Sequence, residues 1–316
     1  MSDFDENLEK AIKRVEGKIV HDMANKNQFY KLYPFATENI KGYIHEFELK
    51  NKSLLTVGSS GDQVFNALYL DCHNVTLFDI NAFSKYYFFL KMASIISLDL
   101  DEFLLFLHYK NFYSPFKDNY DVLDKKIFRK VERTLEELDV YAYLFWKELF
   151  RRFDALTLRK KLFSLDEDRT YVLQKMNLYL ENENNYLKLR DKLEYLKINF
   201  IQGNVLTVGL LNNFDNIWLS NIAQYLTLDE IKKMVIKMDQ FLNMGGKMLI
   251  SYIYQPELDI SKQEDNIPDL YYVAKVMNEL EKYQPYLKQF IGVNGIMFQM
   301  ENVCDGALIY TKRTKF

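Results

Sequence analysis

The sequence predicts an α/β fold with a mostly parallel sheet, on three observations. First, residues 53–97 follow the order strand, glycine turn, helix, strand and acidic residue, with a last helix at residues 82–97. Second, strand and helix patterns alternate again from residue 198 to residue 312. Third, the stretch between them contains only helical patterns. This arrangement predicts a βαβ-based sheet that is interrupted by a large helical insertion between its second and third strands.

The opening unit carries the features of a nucleoside site. Its apolar strand at residues 54–57 ends at a glycine turn, GSSG, at residues 58–61. Glycines let backbone N–H groups approach a ligand closely, and the helix N-terminus behind them favours a negative group. The second strand, at residues 75–78, ends at Asp79, 18 positions after Gly61, where a carboxylate can accept both hydroxyls of a ribose. An ordinary tight turn is the alternative explanation for the glycines.

Composition limits the class of protein. The chain has 316 residues and is 48% hydrophobic, which is enough for one domain with an insertion or for two domains. The net charge of −3 argues against a general nucleic-acid binder. Only two cysteines are present, Cys72 and Cys304, which favours reduced thiols in a cytoplasmic protein. No stretch is apolar enough for a membrane span, and the four histidines lack metal-ligand spacing, so no metal site is expected.

An N-terminal helical and aromatic arm is predicted for residues 1–52. A charged amphipathic helix is expected at residues 6–20, and an aromatic segment follows at residues 25–51. Within that segment, residues 37–46 have the pattern of a helix capped by Thr37. Two interpretations are open: the arm packs over the sheet, or it is a lid whose aromatic side chains enclose the ligand.

The helical insertion, residues 98–197, is expected to be a unit separate from the sheet domain of residues 53–97 and 198–316. It carries two basic runs, at residues 125–133 and 151–161. Solvated helix faces explain such runs, and a surface that meets anionic lipid or phosphate is the alternative.

The second half of the chain supplies the remaining strands. Strands are expected at residues 198–201, 214–222 and 247–254, and two last candidates, residues 289–293 and 307–311, are suited to an antiparallel pair. A helix is predicted at residues 227–242, with Thr227 and Glu230 as a capping box. The sequence Met244-Gly245-Gly246 is expected to end that helix. A further helix is expected at residues 268–283.

Five short motifs, in this order, resemble the class I S-adenosylmethionine-dependent methyltransferase fold. They are VGSSG after the first strand, FDIN at the end of the second, QGNV after the third, FDNIWLSN as the fourth and MGGKMLISY before and within the fifth. The resemblance implies a Rossmann-like methyltransferase sheet with a terminal antiparallel hairpin. The turn departs from the family pattern, because Thr56 stands at a usually acidic position and Ser60 and Asp62 stand at later glycine positions.

A narrower resemblance involves the SSGDQ turn, the FDIN…LK stretch and the helical insertion. These features are similar to the betaine-lipid-synthase type, whose members transfer the 3-amino-3-carboxypropyl group of S-adenosylmethionine to diacylglycerol. Both resemblances imply S-adenosyl-L-methionine as the cofactor. The implied acceptor is a lipid or a small molecule, with peripheral membrane contact in the lipid case, and the sequence predicts no oligomeric state.

The resemblance also implies a set of cofactor-binding residues at the turn, at the tip of the second strand and after the third strand. They are Gly58, Ser59, Ser60, Gly61, Asp62, Asp79, Ile80, Asn81, Asn204 and Val205. Asp79 is expected to hold the ribose and Ile80 to pack on the adenine, although a core position explains Ile80 equally well.

Three of these residues have structural alternatives. Asp62 either pairs with the ligand's ammonium group or stabilises the helix dipole. Asn81 either adds a hydrogen bond near the ribose or caps the next helix. Asn204 either contacts the adenine amino group or is a turn residue.

Ser220 and Asn221 are the candidates for orienting the acceptor, because the fourth strand opens into the active site of this fold. A polar strand end is the alternative, and no general base is identified. Some aromatic residues are suited to walls around a sulfonium cation, although most aromatics in such a chain belong to the core. They are Tyr33, Phe35, Tyr225, Tyr252 and Tyr254.

Two functions from different classes follow. The first is an S-adenosylmethionine-dependent transferase that moves a methyl or a 3-amino-3-carboxypropyl group. The second is a catalytically degenerate member of the fold that serves as a binding or scaffold module, with the insertion as its interface. The incomplete glycine motif motivates the second.

Overall fold

A computed structural model of the chain describes residues 2–18, 30–107, 123–164, 176–193, 196, 198–251, 287–293 and 305–312. The helix predicted at residues 268–283 and the two tyrosines Tyr252 and Tyr254 lie outside these residues.

A seven-stranded sheet organises the molecule. Its strands are β1 Ser53–Val57, β2 Asn74–Asp79, β3 Asn199–Gln202, β4 Phe214–Trp218, β5 Leu242–Ser251, β6 Leu287–Val293 and β7 Asp305–Thr311. They lie in the order β3-β2-β1-β4-β5-β7-β6. The strands β1 to β5 are parallel, and β7 is antiparallel to both β5 and β6. This is the Rossmann-like methyltransferase sheet with its terminal antiparallel hairpin, so the predicted fold class is confirmed.

The strand order fixes where a ligand would bind. The chain runs outward from β1 to β2 and β3, and then crosses back to place β4 on the other side of β1. Ligands of open α/β sheets bind at such a reversal, beyond the carboxyl ends of the strands. The relevant strand ends are therefore Val57 of β1, Asp79 of β2 and Trp218 of β4.

Ten helices can be numbered along the described residues. They are α1 Asp3–Val15, α2 Ile40–Tyr43, α3 Asp62–Tyr69, α4 Ala82–Ser97, α5 Leu100–Leu107, α6 Lys125–Leu138, α7 Val140–Arg152, α8 Ala155–Leu162, α9 Glu183–Leu193 and α10 Leu228–Phe241. The helix α4 matches the predicted bounds. In the arm, the helix predicted at residues 37–46 is wrong in its start, because Asn39, not Thr37, caps the short α2.

The glycines after α10 have a different role from the one predicted. Thr227 and Glu230 form the expected capping box, but α10 ends at Phe241 and the chain enters β5 directly at Leu242. Gly245, with φ of +77°, lies inside β5, beside the register shift of its pairing with β4. A Cβ on Gly246 would lie 2.7 Å from the Asp215 carbonyl oxygen. These glycines therefore allow a strand irregularity and do not end a helix.

Each face of the sheet has its own core. On one face, α10 packs its apolar residues against β1, β4 and β5. On the other face, α4 is buried along nearly its whole length between the sheet and the insertion. The Tyr86 ring of α4 stacks on Phe145 of α7 with centroids 4.1 Å apart, and Trp146 Nε1 donates to the Tyr86 carbonyl oxygen at 2.9 Å. The insertion therefore shares a continuous core with the sheet, and the predicted division into separate units stays a prediction.

The basic runs of the insertion face acidic partners. Lys130 bonds to Glu102, and both Arg151 and Arg152 bond to Glu148. These pairs account for three of the basic residues as members of solvated helix faces, and the anionic-surface alternative stays a prediction. Among the described residues, no helix combines the length and apolarity that a bilayer crossing requires.

The shared core predicts that the sheet and the insertion unfold together. The chain has two tryptophans, Trp146 in the insertion and Trp218 in β4, so Trp146→Phe and Trp218→Phe each leave one local reporter. We expect urea-induced changes in tryptophan fluorescence and far-UV circular dichroism to have the same midpoint within each variant. A Trp146 transition that clearly precedes the circular dichroism change in Trp218→Phe would instead identify the insertion as an independent unit.

Candidate nucleoside-binding site

The glycine turn is shaped by contacts within the protein. Gly58 N donates to the Phe78 carbonyl oxygen at 2.8 Å, which places the turn beside the tip of β2. Gly61 has φ of +80°, and a Cβ there would lie 2.8 Å from the Phe88 ring. A Cβ on Gly58 would lie 3.1 Å from Asp79. Backbone conformation and packing therefore favour glycine at position 61, and a side chain at position 58 would require Asp79 or its neighbours to shift. The predicted contact between these glycines and a ligand stays a prediction.

Asp79 lies at the tip of β2 with both carboxylate oxygens positioned by backbone groups. Its Oδ2 accepts from Ser59 N at 2.8 Å, and its Oδ1 accepts from Asn81 N at 2.9 Å. Burial raises the pKa of this carboxyl, and the two backbone hydrogen bonds oppose that rise in part. Each carboxylate oxygen has a second lone pair, so the group retains capacity to accept the two hydroxyls of a ribose.

Asn81 and Ile80 follow Asp79 directly. The Asn81 side chain accepts from Phe83 N at 3.1 Å as the cap of α4, and its Nδ2 donates to the Tyr30 carbonyl oxygen at 2.9 Å. The structural alternative for Asn81, helix capping, is thus observed. Ile80 is half-buried just beyond the strand tip, and its predicted packing on the adenine stays a prediction.

Asn204 and Val205 lie in the loop after β3. Gly203 N donates to the Asp79 carbonyl oxygen at 2.8 Å, which holds this loop against the tip of β2. The Asn204 Oδ1 accepts from Leu206 N at 2.8 Å, as a turn residue does, while Val205 is buried in the core under α10. The contact predicted between Asn204 and the adenine amino group stays a prediction.

The Asp62 carboxylate is bonded to four groups of the protein. Its carboxylate forms an ion pair with Lys91 at 2.7 Å and accepts from Tyr179 OH at 2.6 Å, Ala36 N at 2.5 Å and Ser60 Oγ at 3.0 Å. Both Asp62 and Lys91 are fully buried. This geometry gives Asp62 a structural role, in which the ammonium group on its carboxylate belongs to Lys91. The predicted contact between Asp62 and a ligand's ammonium group stays a prediction. The geometry also assigns Ser60 to the same internal network.

Lys91 links the arm to the turn. Its Nζ donates to the Pro34 carbonyl oxygen at 2.9 Å and to the Ser60 carbonyl oxygen at 3.1 Å, and it lies 4.0 Å from the centre of the Phe35 ring. Burial lowers the pKa of Lys91 to about 8, against the opposing effect of Asp62. Phe35 therefore faces a cation of the protein itself, which accounts for one of the predicted aromatic walls.

Glu38 is a site residue that the sequence did not reveal. The arm carries it over the strand ends, where its buried carboxylate accepts from the Gln63 amide, from Ser220 Oγ at 3.3 Å and from Ser251 Oγ. These partners belong to α3, to the end of β4 and to the end of β5. The sequence signal for Glu38 is its position as the acidic residue of the stretch PFATENI. The signal for Ser251 is its position as the last residue of β5.

Ser220 and Asn221 are the candidates for orienting the acceptor. Among the hydrogen bonds of the described residues, Ser220 bonds to the Glu38 carboxylate and Asn221 does not. Ser220 is buried and has a positive φ of 47°. Asn221 is half-buried and hydrogen-bonds to Tyr225, which lowers the Tyr225 pKa against the larger raising effect of burial. Tyr225 and Tyr33 are both exposed at the surface. Burial raises the pKa of Tyr30, and the nearby Asp79 carboxylate raises it further.

The described residues contain no cluster of three or more side chains suited to a metal ion. The polar groups at the strand ends are two carboxylates. Asp79 has lone pairs that can accept hydroxyls, and Glu38 accepts from two serine hydroxyls. Such an arrangement is suited to a nucleoside with a polar extension.

No protein-family model matches the sequence, and no curated protein does. Among solved structures, the chain is similar to the N-methyltransferase NodS from Bradyrhizobium japonicum WM9 in complex with S-adenosyl-L-homocysteine, at 10% identity and a TM-score of 0.41, over 96% of this chain and 100% of that one. It is similar to the glycopeptide N-methyltransferase MtfA complexed with S-adenosyl-L-methionine, at 10% identity and a TM-score of 0.46, over 90% and 97%. A third is the O-methyltransferase from Bacillus cereus in complex with S-adenosyl-L-homocysteine, at 9% identity and a TM-score of 0.41, over 98% and 91%. The fold assignment rests on the observed strand order itself.

The buried ion pair predicts a pH-dependent stability. The ordinary lysine pKa of 10.5 exceeds the value of about 8 in the folded chain, so between these values the unfolded chain binds more protons. Raising the pH from 8 to 10 should therefore increase the free energy of unfolding, by up to about 1.4 kcal/mol per pH unit from this group. Urea unfolding of the wild type and of Lys91→Met/Asp62→Asn, compared at each pH, isolates the contribution.

In the double variant, the free energy of unfolding should no longer rise between pH 8 and pH 10. The control is Lys192→Met, which removes a half-buried lysine that pairs with Asp71, and this variant should keep the rise. Parallel pH profiles of the wild type and the double variant would contradict the assignment of a lowered pKa to Lys91.

Proposed function

We propose that the chain is an S-adenosylmethionine-dependent transferase, and that it transfers the methyl group. The observation that carries the proposal is Asp79, a buried carboxylate at the tip of β2, held by Ser59 N and Asn81 N beside the glycine turn. This position lies next to the reversal of strand order, where open α/β sheets bind nucleotides. The ordered set of five sequence motifs supports the same cofactor.

In this proposal the residues of the chain bind and orient. Asp79 accepts the ribose hydroxyls, Ile80 packs on the adenine, and the backbone of the glycine turn passes beside the sulfonium. When bound, S-adenosylmethionine supplies an electrophilic carbon on its sulfonium. In-line positioning of the acceptor then provides most of the rate. The arm, which covers the strand ends, excludes water from the reacting atoms.

Transfer of the 3-amino-3-carboxypropyl group to a lipid has weaker support. The narrower resemblance depends on the SSGDQ and FDIN…LK stretches, which contain Asp62 and Lys91. These two residues form an ion pair with each other, so a shared structural need accounts for them without reference to an acceptor. We therefore propose methyl transfer and assign no lipid acceptor.

The proposal predicts that Asp79→Asn weakens binding of S-adenosyl-L-homocysteine at least tenfold. The substitution removes the negative charge from the hydrogen bonds to the ribose, and charge-assisted hydrogen bonds contribute about 1.5–3 kcal/mol each. Isothermal titration calorimetry measures the change. Asp215→Asn is the matched control, because Asp215 also accepts from a backbone N–H, that of Ser53, but lies at the opposite end of the sheet. Equal affinities of Asp79→Asn and the wild type would sink the proposal.

One observation favours the second candidate, a binding or scaffold module. The arm lies across the strand ends, and its residues Ala36 and Glu38 occupy hydrogen-bonding positions that a ligand would otherwise reach. A degenerate member would keep that arrangement closed. The transferase predicts that millimolar S-adenosyl-L-methionine or S-adenosyl-L-homocysteine raises the melting temperature by several degrees, since a ligand that binds only the folded state stabilises it. No shift with either compound would favour the scaffold.

A further inference from the structure

The Glu38 carboxylate accepts hydrogen bonds from three buried side chains at the ends of β4 and β5 and at the start of α3. Glu38 brings a carboxylate that is 2% exposed. Its partners come from three separate parts of the fold: Gln63 in the first turn of α3, Ser220 directly after β4, and Ser251 at the end of β5. The strands β1, β4 and β5 are neighbours in the sheet, so the carboxylate lies beside the reversal of strand order.

Gln63 adds an acceptor whose hydrogen-bonding capacity is unused. Its amide nitrogen donates to Glu38, and its side chain is 2% exposed. Among the residues that the structure describes, its buried Oε1 has no hydrogen-bond partner. A buried amide oxygen without a partner is unfavourable, so a hydrogen-bond donor at this position would be favoured.

Ser220 is held in an unfavourable backbone conformation at the same place. Its φ of 47° is uncommon for a residue with a side chain, and it costs free energy that the surrounding structure must supply. The conformation is fixed in part because Ser251 N donates to the Ser220 carbonyl oxygen at 3.0 Å. It directs the Ser220 hydroxyl to Glu38. Strain of this kind concentrates at ligand sites.

We propose that Glu38, with Gln63 Oε1, binds the ammonium group of the amino-acid portion of the nucleoside ligand, an inference that rests on the proposed function. An ammonium group has three N–H donors and no acceptor, so it matches a carboxylate beside an amide oxygen. The carboxylate also selects between the two charged groups of an amino acid, because it repels a carboxylate.

The placement agrees with the length of the ligand. Asp79 holds the ribose at the tip of β2, and Ser220 follows β4, two strands away across β1. Two strand spacings are about 10 Å, a distance that an extended amino-acid portion can span from the ribose. Gln63 lies between them, since α3 begins directly after the glycine turn.

Ligand binding at Glu38 requires part of the arm to move. Glu38 is buried by the arm that carries it, so the ligand can reach the carboxylate only when the segment around Glu38 moves away and then returns. Glu38 thus binds the ligand as part of the segment that closes over it.

The experiment compares two nucleosides that differ only in this portion. S-adenosyl-L-homocysteine has the amino acid, whereas 5′-methylthioadenosine keeps the adenine, ribose and sulfur without it. Isothermal titration calorimetry of Glu38→Gln should show at least tenfold weaker binding of S-adenosyl-L-homocysteine and unchanged binding of 5′-methylthioadenosine. Glu38→Asp, which keeps the charge, should restore part of the loss. Glu48→Gln, an exposed glutamate of the same arm, should bind both compounds like the wild type.

Each other result overturns the inference. Equal weakening of both nucleosides would mean that Glu38 supports the arm and not the ligand. Unchanged S-adenosyl-L-homocysteine binding in Glu38→Gln would mean that the ammonium group lies elsewhere. Failure of the wild type to bind either nucleoside would overturn the proposed function as well, and it is distinguishable because no substitution is involved.

Discussion

The buried ion pair between Asp62 and Lys91 is the interaction on which the rest of the site depends. Two fully buried charges are tolerable only because other groups complete their hydrogen bonding. Tyr179 from the insertion and Ala36 from the arm donate to Asp62, and the Pro34 and Ser60 carbonyls accept from Lys91. The arm, the glycine turn, α4 and the insertion therefore converge on one point beneath the turn, and a movement of Ala36 would remove one donor from the buried carboxylate.

That convergence explains why the arm lies where it does. The segment that ends at Ala36 is fixed by the ion pair, and two residues later Glu38 reaches the ends of β4 and β5. In the other direction, the Tyr30 carbonyl oxygen accepts from Asn81 at the tip of β2. One short stretch of chain thus runs along the carboxyl ends of the strands, from the tip of β2 to the ends of β4 and β5. The two interpretations of the arm, cover and lid, describe the same contacts.

Local patterns in the sequence were sufficient for several of the elements and for the place of Asp79 at a strand tip. The bounds of α4, the capping box at Thr227 and the position of Asp79 follow from periodicity, caps and strand ends, which involve neighbouring residues. Glu38 and the partner of Asp62 could not be predicted in this way. Lys91 is 29 positions from Asp62, and Glu38 is 182 positions from Ser220, so only the folded topology brings them together. The prediction that Gly245 and Gly246 end a helix was wrong for a related reason. Their strand irregularity depends on the pairing of β5 with β4, which is not a local property of the sequence.

The bond from Tyr179 to Asp62 has a consequence for synthesis of the chain. The first strand, turn and helix would emerge from a ribosome long before Tyr179, which lies 117 positions after Asp62. Until then the carboxylate lacks one of its donors, and contacts between residues so distant in sequence are costly to form early. The hydrogen bonding of the buried Asp62 carboxylate can therefore be completed only after the insertion has been made and has docked. A chain released before that point would carry the complete glycine turn and the Asp79 carboxylate, yet it would lack the support that holds them in place.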